Sequence, residues 1–374
     1  MIRYMTAGES HGRALTAIVD GIPSGLAVEA SRIDRELKRR MAGYGRGGRM
    51  KIEKDRAVIL SGVRKGRTTG APVCILIENK DFAIDRLPAV TKARPGHADL
   101  AGAMKYGAKD IRDVLERASA RETAARVAVG AVARMLLGEF RIDVMSHVVS
   151  IGPVKADTGG LTFLKLRSLA EGSSVRCADR RADALMKKEI DKARLDGDTL
   201  GGVCEIVIKG APAGLGSYAA WDLRLDAGLA RCLMSIPAVK GVEIGAGFEA
   251  SGMRGSCVHD EISYDGGNGF SRRTNRAGGL EGGVTNGEDI VLKIAMKPIA
   301  TLMKPLSSVD IISKKAARAA VERADVCAVP ACGVIDEAVA AIEIAGAMAV
   351  KFGGDSVAEM KRNFSGYMSQ LRRF

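Results

Sequence analysis

Short strand-like segments alternating with amphipathic helices, with no linker anywhere between them, constrain this chain more than any other feature. Runs rich in Val and Ile, or alternating in polarity, fall at 2–7, 14–20, 57–62, 72–78, 142–151, 203–209, 239–246, 258–263 and 290–296, and each has the length and patterning of a strand. Apolar residues at three- and four-residue spacing predict helices at 31–42, about 110–137, 180–195, 222–235, 314–324 and 334–351. Helices lying between pairs of strands, without a Pro/Ser-rich break, predict a single α+β domain over residues 1–374. A faint internal echo links Gly70 through Ile77 to Gly201 through Ile208, and Gly282-Gly283-Val284 precedes a further such strand. The expected architecture is a β-α-β layered sandwich with internal pseudo-symmetry.

A composition of 47% hydrophobic and 27% charged residues is that of a globular chain with a sizeable core. The net charge of +13 calls for an anionic partner. Aromatic residues make up 4% of the chain, with Trp221 the one tryptophan, so rings for stacking on bases are scarce. A small multiply charged anion is therefore favoured, and neither nucleic acid nor a membrane is expected as a partner. No apolar run approaches the ~20 residues that span a bilayer, and strand-like Ile2–Thr6 stands where a secretory signal would need an apolar stretch. The expected location is the cytoplasm. Seven cysteines form no CxxC pair; they are read as reduced and mostly buried, and no metal ligands are assigned.

Two of the four histidines sit in glycine-bearing loops, Gly8-Glu9-Ser10-His11-Gly12 and Arg94-Pro95-Gly96-His97-Ala98-Asp99. A loop presents its side chains, and imidazole exchanges protons near neutrality, so proton transfer is the natural reading. Arginines accompany them: Arg40, Arg46 and Arg49 around the glycines of 43–48, then Arg94, Arg117 and Arg121. Their planar forks suit carboxylates and phosphates. A helical projection aligns Arg121 with Ala125, Ala128 and Val132, where it needs either an internal acid or a ligand anion. The same projection puts Arg126 and Arg134 on a solvated face. Gly43–Gly48 and Gly245–Ala250 fit dinucleotide-binding spacings, but neither sits between a strand and a helix as that motif requires.

Taken together, Gly8–Gly12, Gly43–Met50, Arg94–Asp99, Ser119–Thr123, Gly241–Gly245, Gly282–Glu288, Lys297–Thr301 and Arg323–Asp325 resemble the chorismate synthases, in order and from end to end. The resemblance implies conversion of 5-enolpyruvylshikimate-3-phosphate (EPSP) to chorismate and phosphate. The reaction needs reduced FMN although it is redox-neutral, and a homotetramer is implied. Arg40, Arg46, Arg49, Arg94 and Arg121 match family positions facing substrate or phosphate; Arg40 and Arg46 are alternatively contacts to a nicotinamide nucleotide. FMN would be held by Arg117, Ala118, Ser119, Pro237, Ala238, Gly282, Lys297, Pro298, Ile299, Ala300, Thr301 and Arg323.

The same resemblance implies that His11 is the acid for the departing phosphate and that His97 stabilises and protonates the reduced flavin near N1. Asp325 would assist removal of the C6 proton through the flavin N5, and Ser10 would orient flavin or substrate. Ala118, Ala300, Ala324 and Pro237 stand where the family often carries hydroxyl or amide side chains, which removes contacts but no acid or base. Without a nicotinamide fingerprint, reduced FMN is expected from an external NADPH-dependent reductant. An RNA-binding protein is the rival from another class, and it leaves both loop histidines and Arg121 without a purpose; a flavin oxidoreductase would need the fingerprint just rejected.

Overall fold

The computed structural model describes residues 2–48, 53–267, 269–322 and 324–374. Two antiparallel sheets enclose a layer of helices. The first contains β1 (Arg3–Ala7), β2 (Ala14–Asp20), β3 (Ala57–Ser61) and β4 (Val73–Glu78), in the order β1-β2-β4-β3. The second contains β5 (Asp143–Ile151), β6 (Val154–Lys155), β7 (Gly202–Lys209), β8 (Val239–Ile244) and β9 (Ile290–Met296), in the order β8-β9-β7-β5-β6. The two echoing segments thus form inner strands of different sheets, β4 and β7. Strand β9 shows why such segments sort this way: Ile290, Leu292, Ile294 and Met296 are buried, while the alternate residues are half-buried.

Between the sheets lie α1 (Ala30–Met41), α4 (Thr123–Gly138), α7 (Leu225–Met234) and α8 (Val329–Phe352). Outside this layer are α2 (Asp99–Tyr106), α3 (Arg112–Arg117), α5 (Phe163–Glu171), α6 (Arg180–Leu195) and α9 (Val357–Leu371). Helix α8 is apolar on nearly every face, as a helix buried on all sides must be. Its Pro330 sits in the first turn, where a missing N–H costs nothing. Where α4 crosses α8, a Cβ built on Gly130 would lie 2.4 Å from the Cβ of Ala338. The main apolar core runs through both sheets and this layer. Among the described residues, no helix is long and apolar enough to cross a membrane.

Several local expectations are corrected. The helix expected at about 110–137 is broken into α3, a 3-10 turn at Ala120–Glu122 and α4. Ser119 adopts an extended conformation and its side chain accepts from the Arg121 N–H, which caps a new start and interrupts the old helix. The described residues of 314–324 are not helical: Ala316–Arg318 pairs with Ser307–Val309 in a hairpin whose turn carries Lys314 at φ 60°. The strand expected at 258–263 starts at Ile262, after a helical turn at Gly255–Val258. Neither Arg126 nor Arg134 is simply solvated. Arg126 pairs with Glu122 at 2.9 Å, and Arg134 reaches the fully buried Glu337. The cysteines are free, with Cys177, Cys204, Cys327 and Cys332 buried and Cys257 exposed.

In an ordinary helix interior Gly→Ala is favourable by about 1 kcal/mol. At Gly130 the sign should reverse, because the added methyl overlaps Ala338 and forces the helices apart, which costs about 1–3 kcal/mol. Gly130→Ala is expected to lower Tm by several degrees in thermal unfolding. A Tm that rises would show that the helix layer yields.

Candidate active site

The loops at 8–12, 42–48, 87–98, 118–121, 236–238, 297–301 and 324–328 converge on a cavity of about 560 Å³. Sixteen of the residues expected in the site line it: Ser10, His11, Arg40, Arg46, Arg94, His97, Ala118, Ser119, Arg121, Pro237, Ala238, Lys297, Ile299, Ala300, Thr301 and Asp325. Arg117, Pro298 and Gly282 are not among the lining residues. Arg117 instead donates to the carbonyls of Thr6 and Gly8, and Gly282 occupies the hairpin at Leu280–Thr285. Arg49 and Arg323 lie outside the described residues.

Each loop histidine is backed by a buried carboxylate. His11 Nδ1 lies 3.0 Å from both Glu116 oxygens, and its backbone N–H donates to Oε2 at 2.8 Å. A carboxylate there fixes the ring proton on Nδ1, so Nε2 is the exchangeable position; Asp81 Oδ2 lies 3.7 Å from it. Burial works to raise the Glu116 pKa, yet the hydrogen bonds from His11, and then Arg112, hold it below the ordinary range. Asn79 secures the loop by donating to the carbonyls of Glu9 and Gly12. The interruption of the expected helix at Ser119 also matters here, since Ser119 donates to Ser10 Oγ at 3.2 Å.

His97 is built the same way from different residues. Its Nδ1 lies 2.5 Å from Asp99 Oδ1, and Arg94 grips that carboxylate through Nε at 2.8 Å and Nη2 at 3.0 Å. Arg94 Nη1 also donates to Thr301 Oγ1 at 2.8 Å. Burial favours the neutral acid at Asp99, but the bonds from His97 and Arg94 overcome it and hold the pKa well below the usual carboxylate range. Lys297 ties this loop to the end of β9 by donating to the Gly96 carbonyl.

The cations are less alike than their sequence suggests. Arg40 donates to Thr123 Oγ1 and the Ala120 carbonyl, while its buried Nη1 makes no hydrogen bond. Burial, with Arg46 and Arg121 nearby, pushes its pKa down to about 9. Arg46 pairs with Asp325 at 2.7 Å, and Asp325 also accepts from the Gly47 N–H at 2.6 Å. Gly47 is required at that point, because a Cβ would meet the Ala324 carbonyl oxygen at 2.9 Å. Arg121 is not on the α4 stripe but in the preceding 3-10 turn, bound to Asp55 at 2.7 Å and to Asn79 at 2.9 Å. The internal-acid alternative is the one realised, although its Nη2 still makes no hydrogen bond.

Sequence reasoning missed Glu116, Asp81, Asn79, Asp55 and the role of Asp99. Asp99 was visible inside the quoted Arg94–Asp99 motif. Glu116 directly precedes Arg117, but only the fold brings it under His11. Leu87, Leu115, Ile236, Met296 and Ile335 add apolar surface to the lining.

Apolar surface, guanidiniums and two carboxylate-backed histidines lining one cavity define an acid–base enzyme for a small, multiply charged anion. Similarity to known proteins names the family. A family model described as chorismate synthase matches residues 2–349. Chorismate synthases of Geobacter metallireducens and Desulforudis audaxviator are 54% and 56% identical to this chain; the alignments cover all of it and 100% and 98% of those proteins. A crystal structure of chorismate synthase matches with a TM-score of 0.84 at 42% identity, covering 100% of this chain and 99% of that one. The chain belongs to the chorismate synthase family. Its activity is that of a carbon–oxygen lyase, the trans-1,4 elimination of phosphate from EPSP to give chorismate, the last common step of the shikimate pathway to aromatic amino acids.

Two outcomes check this geometry. Removing one side of a buried ion pair typically costs about 3–5 kcal/mol. Arg121→Ala, which leaves buried Asp55 with only Arg40, at 3.9 Å, among the described residues, should therefore lower Tm markedly as well as weaken ligand binding; loss of binding at unchanged Tm would return Arg121 to a purely ligand-binding role. Asp99 and Glu116 have depressed folded-state pKa values. Their contribution is thus complete above the unfolded carboxylate value of about 4 and disappears as pH falls through the folded values. Tm should fall on acidification below about pH 5, with a shallower slope in Asp99→Asn/Glu116→Gln; an identical slope would remove both carboxylates from the account.

Proposed function

We propose that this cavity binds EPSP against its arginines and reduced FMN against its apolar wall, and that its two histidines and Asp325 handle the protons of the elimination. The observation that carries this reading is the convergence of His11–Glu116, His97–Asp99 and Arg46–Asp325 on one cavity. The residues fit both ligands: buried Arg40 Nη1 and Arg121 Nη2 make no hydrogen bond, and Ala118, Pro237, Ala238, Ile299 and Ala300 offer a ring system a dry surface. When bound, reduced FMN supplies electron density to the breaking carbon–oxygen bond without net oxidation.

In this reading Arg40, Arg46 and Arg121 neutralise the phosphate and carboxylates of EPSP. Arg94 is a positioning residue, since its forks are taken up by Asp99 and Thr301. His11 donates from Nε2 to the departing phosphate, and Glu116 steadies the imidazolium that does so. His97 holds its exchangeable proton at Nε2 for the flavin edge. Asp325 serves removal of the C6 proton, with its carboxylate aimed by Arg46 and the Gly47 N–H. Ser10, linked to Ser119, orients the ligands. The protein acts in the cytoplasm as a homotetramer formed from one domain per chain, and draws reduced FMN from an external NADPH-dependent reductant.

His11→Ala and His97→Ala are each expected to lower turnover ~100-fold or more in an anaerobic EPSP assay with dithionite-reduced FMN. Asp325→Asn should bind reduced FMN normally yet turn over slowly; turnover at the parent rate would make Asp325 a structural partner only. In the same assay, NADPH with oxidised FMN should give no sustained chorismate. Sustained product there would reveal an intrinsic reductase and give Arg40 and Arg46 a nucleotide role.

A further inference from the structure

A second cavity, of about 530 Å³, shares α1 with the active site. Arg40 lines the first cavity and Arg39, the next residue, lines the second. Its walls come from α1, the C-terminal half of α4, the start of β5 and α5. Six arginines reach it: Arg32, Arg35, Arg39, Arg134, Arg141 and Arg167.

The acids on its wall are already engaged. Arg39 takes Glu36 and Glu171, Arg134 takes Glu36 and the buried Glu337 beneath, and Arg167 takes Asp143. Among the described residues no carboxylate pairs with Arg32, Arg35 or Arg141. Arg32, Arg35 and Arg39 follow one another at three- and four-residue spacing, so they share one face of α1, where like charges destabilise a helix. Arg141 sits in the turn between α4 and β5 at φ 60°, a left-handed conformation that is strained for a side-chain-bearing residue. Met135, Ile142 and Met145 complete the wall with apolar surface.

We propose that this cleft is a second anion site, distinct from the substrate site, that takes a small polyphosphate-bearing molecule. Three uncompensated guanidinium forks on one concave surface match a chain of phosphates. The volume suits a ligand of nucleotide size. A nucleoside polyphosphate and inorganic polyphosphate present the same group, and the apolar wall is where they would differ.

The test is calorimetric titration of the intact protein at low ionic strength, with sodium tripolyphosphate and, separately, magnesium-free ATP. One equivalent per chain is expected to bind below ~1 mM. Binding should weaken about tenfold or more in Arg32→Gln/Arg35→Gln and only partly in Arg32→Lys/Arg35→Lys, which keeps charge but loses the fork. It should be unchanged in Arg46→Ala. Arg32 and Arg35 are exposed, so folding is not at stake, and circular dichroism of each variant verifies it. Tighter binding of ATP assigns the apolar wall to a nucleobase; equal binding assigns recognition to the phosphate chain alone. Absence of binding, or loss in Arg46→Ala with no loss in the Arg32/Arg35 variants, overturns the proposal.

Discussion

The approach of α4 to α8 at Gly130 and Ala338 sets the thickness of the helix layer, and through it the spacing of the two sheets whose loops form the active site. α4 packs on strands of both sheets, while α8 packs on the second sheet and on α1, α4 and α7. A bulkier residue at the crossing would move the 118–121 turn, at the head of α4, away from the 324–328 segment, at the head of α8. Those two segments carry Ser119, Arg121 and Asp325. The geometry of the cavity is therefore tied to a methyl-sized clearance deep in the core, where close packing transmits displacement instead of absorbing it.

Charge burial follows the same layer. Glu337 on α8 is fully buried among Arg39, Arg134 and Arg176; burial opposes its ionisation, but these cations, Arg39 foremost, hold it far below the ordinary value. A buried ion cluster of this kind contributes little net stability, because desolvation offsets attraction, but it penalises any register that separates its members. Here it fixes α1 against α4 and α8, and with α1 fixed, Arg40 is aimed into the active site. Arg121 with Asp55 and Arg94 with Asp99 repeat the device at the cavity itself. Arg94 and Arg121 thus line the cavity while their carboxylates lock them into the scaffold.

The sheets were legible from sequence because their central strands are short runs rich in Val and Ile, as β4 and β9 are. The long helices were legible for the same reason, though α8 begins at Val329, ahead of the expected 334, since Pro330 is compatible with a first turn. What local pattern could not reveal were interruptions decided by single side chains. Ser119 capping Arg121 converts a continuous helical pattern into a turn, and that turn is the active-site element. Likewise the alanine-rich 314–324 stretch reads as helix, yet Ala316–Arg318 within it pairs with Ser307–Val309 as a strand. The histidines were visible through their glycine loops, but Glu116 was not: the carboxylate behind His11 is more than a hundred residues away in sequence. Partnerships of that length exist only in the fold.

The central claim is that this cavity performs an elimination in which the flavin is required but not consumed. It is tested most directly by supplying the purified protein, without oxygen, with EPSP in large excess over chemically reduced FMN and counting products. The account predicts chorismate and phosphate in equal amounts, both far exceeding the reduced FMN added. No chorismate from folded protein, or chorismate that stops at one molecule per reduced FMN, would contradict it.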